Sequence, residues 1–269
     1  MATLTPFDRA DRVDEGVVRA HTEWLVEAGV AGLCPVGTTG EFLYLSVAEK
    51  NKIFRATVEG AKGRVPVIAG VWGFRPEQTL ALVKLAEDAG ASAVFLPTPI
   101  YYPANSEAIL RWYENARNAS SLPVFAYNIP QYAANEISLD CLAQLFAEGT
   151  IVGAKDSSGK AERIAEQVQR FGERGVIFAA SDSFATQGRK LGADGFISAI
   201  ANVAPALFVK LWAGDESLQP QVDALRNALK QVGAISGLKS LLQERGFAFG
   251  HSRIPYTEVP EGWACAVEY

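Results

Sequence analysis

The chain has 269 residues, with 25 Lys and Arg against 30 Asp and Glu, which gives a formal net charge of −5. This length allows one large domain to bury a core that needs no disulfide or metal to hold it. The acidic balance argues against a nucleic-acid binder and against a binder of anionic membranes, because both need a basic surface. The cysteines are 3 in number and form no C-x-x-C pair, which predicts a reducing, cytoplasmic location.

Apolar runs and amphipathic stretches alternate along the chain. The apolar runs predict buried parallel strands at residues 4–7, 32–36, 65–71, 93–98, 123–128, 151–156, 176–181 and 195–200. The amphipathic stretches predict helices at residues 14–28, 46–62, 77–89, 105–119, 138–148, 160–172 and 182–191. This alternation is typical of an α/β protein with a (β/α)8 TIM barrel.

The barrel core is expected over residues 1–202, and the last barrel helix with a short helical appendix over residues 203–269, as a single structural unit. The first strand is short, so its N-terminal half is expected to be missing. A doubly wound open sheet is the competing layout, but it would normally carry a G-x-G-x-x-G turn, and the sequence has none. The most apolar stretch carries Asn202, Pro205 and Lys210, which argues against a membrane span.

The stretch IVGAKDSSGK, residues 151–160, allows two interpretations. A phosphate-binding Walker A loop needs four residues between its glycines and a Ser or Thr after its lysine. Here five residues separate Gly153 from Gly159, and Ala161 follows Lys160. Both the spacing and the magnesium ligand are therefore wrong for a nucleotide-binding protein.

The other interpretation places Lys155 at the end of an apolar strand. Desolvation disfavours a charged ammonium group, and a neutral amine attacks a ketone carbon to form a Schiff base. The iminium then draws electrons from the neighbouring carbon, which loses a proton or a carbon–carbon bond. An ion pair between Lys155 and Asp156, or a more distant acid, is the structural alternative, and the position alone favours neither.

The predicted second strand ends in GTTGEF, residues 37–42. Gly37 lets the backbone approach a ligand closely, and Thr38 and Thr39 offer hydroxyls and amides to an anion such as a carboxylate. Taken alone, this stretch is more typical of an ordinary turn before a helix, with Glu41 in a structural hydrogen bond.

The predicted fifth strand ends in AYNIP, where Tyr127 would point a phenol towards the same barrel mouth and carry protons. Taken alone, a core tyrosine with a satisfied hydroxyl is the favoured alternative. Because chemistry gathers at the carboxyl ends of barrel strands, Tyr127, Lys155 and the two threonines are expected to meet. An amine, an anion cradle and a proton carrier together are what an enamine reaction on a 2-keto acid requires.

The motifs GTTGEF, YNIP and GAKDSSG resemble the three signatures of the dihydrodipicolinate synthase / N-acetylneuraminate lyase family of class I aldolases. The resemblance extends from TPF near the start, through PTPIYYP, to GADGFISAIANVAP, and so covers nearly the whole chain. It implies a (β/α)8 barrel with a C-terminal helical segment, assembled as a homo-oligomer, usually a homotetramer built from dimers. It also implies a reaction without metal or cofactor, which agrees with a histidine content of only His21 and His251.

The resemblance implies a role for each motif residue. Lys155 would form the Schiff base with pyruvate or a pyruvate-derived 2-keto acid, and Tyr127 would transfer protons. Thr38 and Thr39 match the pair that holds the pyruvate carboxylate, with Thr38 also in a hydroxyl relay to Tyr127. The neuraminate lyase branch usually has Ser-Thr at this pair, so the match to that branch is imperfect.

Two further positions take roles only from the resemblance. Tyr101, in PIYYP, matches the tyrosine that family dimers lend across their interface to the neighbour's relay; otherwise it is an exposed aromatic before Pro103. Ile197, in GFISA, matches a position whose backbone carbonyl faces the site.

One position departs from the synthase branch, which has an arginine two residues after the proline of YNIP. That arginine binds the carboxylate of the aldehyde partner, whereas here Pro130 is followed by Gln131 and Tyr132. A neutral phenol makes no bidentate salt link to a carboxylate. The departure favours a hydroxylated aldehyde, as in a 2-keto-3-deoxy sugar acid, hydrogen-bonded by Gln131, Tyr132 and Asn135.

The sequence therefore predicts a lyase that makes or breaks a carbon–carbon bond between pyruvate and an aldehyde. One alternative is the 4-hydroxy-tetrahydrodipicolinate synthase reaction of lysine biosynthesis. The other is a non-catalytic barrel that binds a keto acid, but a mere binder needs neither Lys155 nor Tyr127.

Overall fold

The computed structural model describes residues 1–253 and 255–267. A six-stranded sheet has its strands in chain order, and each pair from the second strand to the sixth is parallel. The strands are β1 (Ile68–Gly70), β2 (Ala93–Pro97), β3 (Val124–Asn128), β4 (Gly153–Asp156), β5 (Val176–Ala180) and β6 (Gly195–Ile197). The chain therefore has a parallel α/β fold in which consecutive strands are neighbours, as the predicted barrel requires.

Helices connect the strands. They are α1 (Glu15–Glu27), α2 (Val47–Ala61), α3 (Pro76–Asp88), α4 (Ser106–Ala119), α5 (Pro130–Ala133), α6 (Leu139–Ala147), α7 (Ala161–Phe171), α8 (Ala185–Lys190), α9 (Pro205–Ala213), α10 (Gln219–Val232) and α11 (Ala234–Glu244). The predicted helices are confirmed, and their ends differ from the predicted ones by a few residues at most. Short polar residues cap several of them and fix where they begin. Asp14, Asn105 and Ser138 each accept a hydrogen bond from the first turn of the helix that follows.

The structure forms six of the eight predicted strands as regular strands, and replaces the first two by isolated bridges. Ala2 pairs in parallel with Cys34, and Leu33 with Val67. The predicted runs 4–7 and 32–36 contain Pro6 and Pro35, which have no backbone N–H to donate to a sheet ladder. These two strands are therefore shorter than the apolar runs that predicted them.

The chain divides into two compact units. The first unit comprises Met1–Ile68 and Ser198–Tyr269, and it contains α1, α2 and the helices from α9 to α11. The second unit comprises Ala69–Ile197, and it contains most of β1, all of β2 to β6 and the helices from α3 to α8. In the second unit β2 and β3 are buried throughout, as expected for parallel strands covered on both faces.

In the C-terminal part of the first unit the last α-helix ends at Glu244, and a short 3-10 turn at Ala264–Ala266 follows later. The predicted helical stretch included residues 246–250, but Gly246 has a φ of 89°, which ends the helix. Across the described ranges 1–253 and 255–267, we find no helix with the length and hydropathy of a membrane span.

Candidate active site

Lys155 and Tyr127 are neighbours on adjacent parallel strands. The register of β3 and β4 pairs Tyr127 with Lys155, and both side chains are buried, with Lys155 only 6% exposed. The Lys155 Nζ lies 4.0 Å from the centroid of the Tyr127 ring and 5.7 Å from that of Phe95. In the described part of the chain, no carboxylate pairs with this amine. The structure thus brings together the two residues on which the predicted amine chemistry depends.

The alternative ion pair between Lys155 and Asp156 does not form. Successive residues of a strand point to opposite faces, so the Asp156 carboxylate faces the helices rather than the amine. Its Oδ2 accepts hydrogen bonds from Arg163 Nε at 2.6 Å, Gln167 Nε2 at 2.9 Å and Asn128 Nδ2 at 2.9 Å. All four of these side chains are buried, so the charge of Asp156 is satisfied away from Lys155.

This polar network stabilises the carboxyl ends of β3 and β4 on the face of the sheet opposite to Tyr127 and Lys155. Asn128 and Asp156 are paired in the register, one step beyond the pair of Tyr127 and Lys155. Asn128 Oδ1 also accepts a hydrogen bond from Ile137 N at 3.0 Å. The sequence analysis missed this support, although its signal is present: a polar residue directly follows each of the two predicted site residues.

Tyr101 lies in the loop after β2, and its ring is 80% exposed. Its φ is 75°, and the N–H of Tyr102 donates to the carbonyl of Ile100 at 3.0 Å. This geometry is a γ-turn with a positive central φ, which is a strained backbone for a residue with a side chain. The loop therefore presents the Tyr101 phenol outwards from the second unit.

Tyr132 and Gln131 lie on the short helix α5, directly after β3. Tyr132 is 70% exposed, whereas the Gln131 Nε2 donates to the backbone oxygen of Ser157 at 2.9 Å. Ile197 is buried at the carboxyl end of β6, where it pairs with Ala180. These residues lie at the same edge of the sheet as Lys155, because carboxyl ends of parallel strands share one edge.

The prediction that Asn135 hydrogen-bonds substrate hydroxyls is wrong. Its side chain is buried, and both its amide groups bond to backbone atoms of the loop that contains Tyr101. A donor and an acceptor used in this way are not free for a ligand.

The stretch GTTGEF lies in the first unit, where Thr38–Gly40 forms a short 3-10 turn. The N–H of Gly40 donates to Gly37 O at 3.0 Å, and Gly40 O accepts from Thr5 Oγ1 at 2.7 Å. Thr38 and Thr39 are half-buried. A Cβ on Gly40 would lie 3.1 Å from the carbonyl oxygen of Thr3, so this glycine serves close packing on the N-terminal segment.

Glu41 makes the structural contacts that the sequence analysis weighed as an alternative. It is buried, its φ is 58°, and its Oε1 lies 2.5 Å from the Nζ of Lys239. Its Oε2 accepts from the N–H of Arg253 at 2.8 Å. Burial lowers the pKa of Lys239 to about 8 in spite of the adjacent carboxylate. Glu41 thus anchors the GTTGEF turn on the C-terminal segment of the same unit.

The two histidines are structural or surface residues. His21 is buried, its Nε2 lies 3.0 Å from Asn202 O, and burial lowers its pKa to about 4. His251 is partly exposed and its Nε2 lies 3.0 Å from Asp11 Oδ1. Of the three free cysteines, Cys34 and Cys141 are buried and Cys265 is exposed.

The first unit also contains a cavity of about 940 Å³ between its N-terminal loop and its C-terminal segment. Its described lining includes Phe7, Lys239, His251 and Tyr256, and none of the residues predicted for the site. It is therefore separate from the chemistry that the motifs predict.

Comparison with known proteins gives similarity over the whole chain. The family model described as the dihydrodipicolinate synthetase family matches residues 1–267. An uncharacterized DapA-like lyase from Halobacterium salinarum is 37% identical, over 98% of this chain and 90% of its own. A 4-hydroxy-tetrahydrodipicolinate synthase from Brucella abortus biovar 1 is 37% identical, over 100% of this chain and 94% of its own.

A solved structure, that of CdNal from Clostridium difficile in complex with mannosamine, has a TM-score of 0.93 and 26% identity to this chain. The match covers 98% of this chain and 94% of that one. Sequence and structure comparisons therefore agree over both units.

Proposed function

Because this chain belongs to the dihydrodipicolinate synthetase family, we propose that its reaction proceeds through a Schiff base on Lys155. The enzyme is a lyase, a class I aldolase that makes or breaks a carbon–carbon bond between pyruvate and an aldehyde. The observation that carries the proposal is the buried Lys155 amine, 4.0 Å from the Tyr127 ring centroid and paired with no carboxylate of the described residues.

The chemistry that this pair supports is amine addition and proton transfer. The Lys155 amine adds to the keto carbon of pyruvate, and loss of water leaves an iminium. Removal of a proton from the methyl group gives an enamine, whose carbon adds to the carbonyl carbon of the aldehyde; cleavage is the reverse. Tyr127 is assigned as the proton carrier in these steps, because its ring lies against the amine, with 4.0 Å from Nζ to the ring centroid, and its phenol can carry a proton.

The pyruvate carboxylate is the group assigned to the GTTGEF turn. Thr38 and Thr39 offer hydroxyls and amides to it, and Gly37 admits the close approach of the ligand to the backbone. Thr38 is also assigned to the hydroxyl relay with Tyr127, and the backbone carbonyl of Ile197 is proposed to face the site. The support for these roles is the match of the residues to the family motifs.

The second relay tyrosine is Tyr101, and we assign it to a neighbouring copy of the chain. Its exposure of 80% and its outward γ-turn support this role, because the phenol is accessible to a partner surface. The enzyme is accordingly proposed to act as a homo-oligomer, a dimer or a tetramer.

The aldehyde partner is proposed to be hydroxylated and to carry no carboxylate at the position that Tyr132 faces, as in the cleavage of a 2-keto-3-deoxy sugar acid. Tyr132 is 70% exposed on α5 and presents a neutral phenol there, and Gln131 adds an amide beside it. The similar CdNal structure contains mannosamine, a polyhydroxylated ligand of the kind that such groups bind.

A second candidate function is the 4-hydroxy-tetrahydrodipicolinate synthase reaction. The relative from Brucella abortus biovar 1 that has this name is 37% identical, which favours it. Tyr132 in place of the arginine of the synthase branch disfavours it, because the phenol has no charge to pair with the carboxylate of the aldehyde.

We also propose the complete eight-stranded barrel, with residues 203–269 as its last helix and appendix. Within the first unit Ala2 pairs with Cys34 and its N–H donates to Ser198 O at 3.0 Å, while Leu33 pairs with Val67. In the proposed barrel, the segments joined by these bridges occupy the positions of the first two strands. Three free cysteines support a reducing compartment, and we assign the enzyme to the cytoplasm.

The proposal is tested by trapping the Schiff base. The protein is incubated with pyruvate and borohydride, and peptide mass spectrometry locates the reduced adduct. We expect the adduct on Lys155 and none in Lys155→Ala. Lys160→Ala is the matched control, because Lys160 is an exposed lysine paired with Glu136 at 3.1 Å, and it should react like the wild type. A wild-type protein that gives no adduct would favour a non-catalytic keto-acid binder.

The substrate assignment is tested by Tyr132→Arg, with release of pyruvate from keto-deoxy sugar acids and condensation with carboxylated aldehydes as readouts. We expect the variant to gain turnover of the carboxylated aldehyde. Tyr102→Arg adds the same charge to a tyrosine of similar exposure and is expected not to gain it. Equal or lower rates for Tyr132→Arg would show that this position does not face the aldehyde.

A further inference from the structure

Asn135 is a buried amide whose short side-chain hydrogen bonds go to one loop, with one longer bond of 3.5 Å from its Nδ2 to Ala133 O. It is 6% exposed. Its Oδ1 accepts from the N–H of Ala104 at 2.8 Å, and its Nδ2 donates to Pro99 O at 2.7 Å and to Tyr102 O at 2.9 Å. Its backbone oxygen accepts from Thr98 Oγ1 at 2.9 Å. One residue thus fixes both ends of the loop over residues 98–104.

The loop that Asn135 holds contains the strained turn at Tyr101. The positive φ of Tyr101 is costly for a residue with a Cβ and persists only where the surroundings impose it. The carbonyls of Pro99 and Tyr102 flank the turn on its two sides, and the single Nδ2 group of Asn135 bridges them. These two hydrogen bonds therefore hold the strained turn, whose backbone would otherwise relax to a negative φ at Tyr101.

The ring of Tyr101 receives little support from packing. It is 80% exposed, and its ring contact is with Tyr102, which is itself 75% exposed. The direction of the phenol consequently depends on the backbone of the turn. A change in that backbone would move the hydroxyl by far more than a change in a packed core residue would.

We propose that Asn135 is a positioning residue for the reaction, because it holds the turn that aims the Tyr101 phenol. This inference rests on the proposed function, in which Tyr101 belongs to the proton relay. It assigns Asn135 no contact with substrate, and it replaces the substrate-binding role that the sequence suggested.

The test compares Asn135→Leu, which has a similar size and no polar group, with Tyr101→Phe and with the wild type. We expect Asn135→Leu to lower kcat by about ten- to a hundredfold, towards the value of Tyr101→Phe, because misplacement of a relay group by about 1 Å has an effect of this order. The KM for pyruvate should change less than about twofold, and the borohydride adduct on Lys155 should still form, since neither involves the turn.

Hydrogen exchange provides a readout that does not depend on activity. The amides of Tyr102 and Ala104 are bonded within the turn and to Asn135, so their exchange should be at least about tenfold faster in Asn135→Leu. Asp14→Ala is the stability control, since it removes the cap of α1 in the other unit. It should lower the Tm but leave kcat and the exchange of the loop unchanged.

Asn135→Asp supplies the conservative rescue. A neutral carboxylic acid retains one donor, whereas an ionised one faces two carbonyl oxygens. The ratio of the variant's kcat to that of the wild type should therefore rise as the pH falls, and the ratio for Asn135→Leu should not.

The inference is overturned if Asn135→Leu keeps the wild-type kcat and loop exchange, or if Asn135→Asp shows no recovery at low pH. It is also overturned if kcat falls in Asp14→Ala in proportion to its loss of Tm. Absence of the Lys155 adduct in the wild type would instead refute the proposed function, while the exchange measurement would still decide whether Asn135 holds the turn.

Discussion

At the scale of single residues, the alternation of side chains along a strand separates two kinds of polar group. Tyr127 and Lys155 lie on one face of β3 and β4, and Asn128 and Asp156 lie on the other. The acid nearest to Lys155 in sequence is thereby used by Arg163, and the amine keeps aromatic neighbours instead. The absence of a salt bridge to Lys155 among the described residues supports its proposed role as the nucleophile.

Removal of the Tyr127 hydroxyl tests its role as proton carrier. We expect Tyr127→Phe to lower kcat by about a hundredfold or more, the usual effect of losing a positioned proton-transfer group, with little change in Tm. Tyr113→Phe is the matched control, because it removes another buried hydroxyl, bonded to Leu96 O at 3.1 Å, from the same unit. That variant should lose about 1 kcal/mol of stability and no activity. Steady-state kinetics and thermal unfolding measure both, and equal kinetic effects would contradict the assignment.

Buried His21 makes the stability depend on acid pH. Burial lowers its pKa in the folded state from 6.5 to about 4. The unfolded chain therefore takes up a proton as the pH falls through 6.5, while the folded chain stays neutral until about 4. The stabilisation from this group is complete above pH 6.5 and is lost towards pH 4, by about 3 kcal/mol in total.

Urea unfolding at several pH values measures this loss. His21→Gln retains a donor for the Asn202 carbonyl but has no charge to gain, so its stability should depend less on pH between 4 and 6.5. His251→Gln changes a partly exposed histidine and should retain the wild-type dependence. Parallel pH curves for His21→Gln and the wild type would refute the assignment.

At the scale of elements, β4 depends on a glycine that has no room for a side chain. A Cβ on Gly153 would lie 2.6 Å from the carbonyl oxygen of Val176 and against the ring of Phe125. Gly153 pairs with Phe125 and Val176 in the register, so the neighbouring strands occupy the space. The position of Lys155, two residues further along, depends on this close packing.

Gly153→Ala should therefore lower the free energy of unfolding by about 2 kcal/mol, because the neighbouring strands must move to accept the methyl group. Gly32→Ala is the control: its Cβ would meet Pro66 at ordinary contact distances of 3.5 and 3.6 Å, and we expect a change within about 0.5 kcal/mol. Denaturant unfolding measures both variants. A Gly153→Ala protein as stable as the wild type would show that the strands yield more easily than their packing indicates.

At the scale of the whole molecule, residues distant in sequence hold the GTTGEF turn. Glu41, within that turn, pairs with Lys239 of α11 and with the backbone of Arg253. Neither partner could be read from the motif, because the contacts join positions about two hundred residues apart. The C-terminal segment thus helps to position the GTTGEF turn, which is proposed to bind the pyruvate carboxylate.

Lys239→Met should lower the free energy of unfolding by about 3–5 kcal/mol, because it leaves the buried Glu41 carboxylate without its cation. The double variant Glu41→Gln with Lys239→Met removes both charges and should recover part of that loss. Chemical unfolding measures the stabilities, and the KM for pyruvate is expected to rise in the single variant, because the turn loses its anchor. A double variant no more stable than the single one would contradict this account.

Seven of the helices, the positions of the six regular strands and the family could be predicted from the sequence, because apolar periodicity, capping residues and contiguous motifs are local properties of the chain. Lys155 and Tyr127 were predicted as site residues in the same way, since each lies near the end of an apolar strand within a motif. The partners of the polar residues became known from the folded chain: Asp156 pairs with Arg163, Asn135 with the Tyr101 loop, and Glu41 with Lys239. Such partners depend on strand register and on contacts between distant segments, and spacing along one chain contains neither.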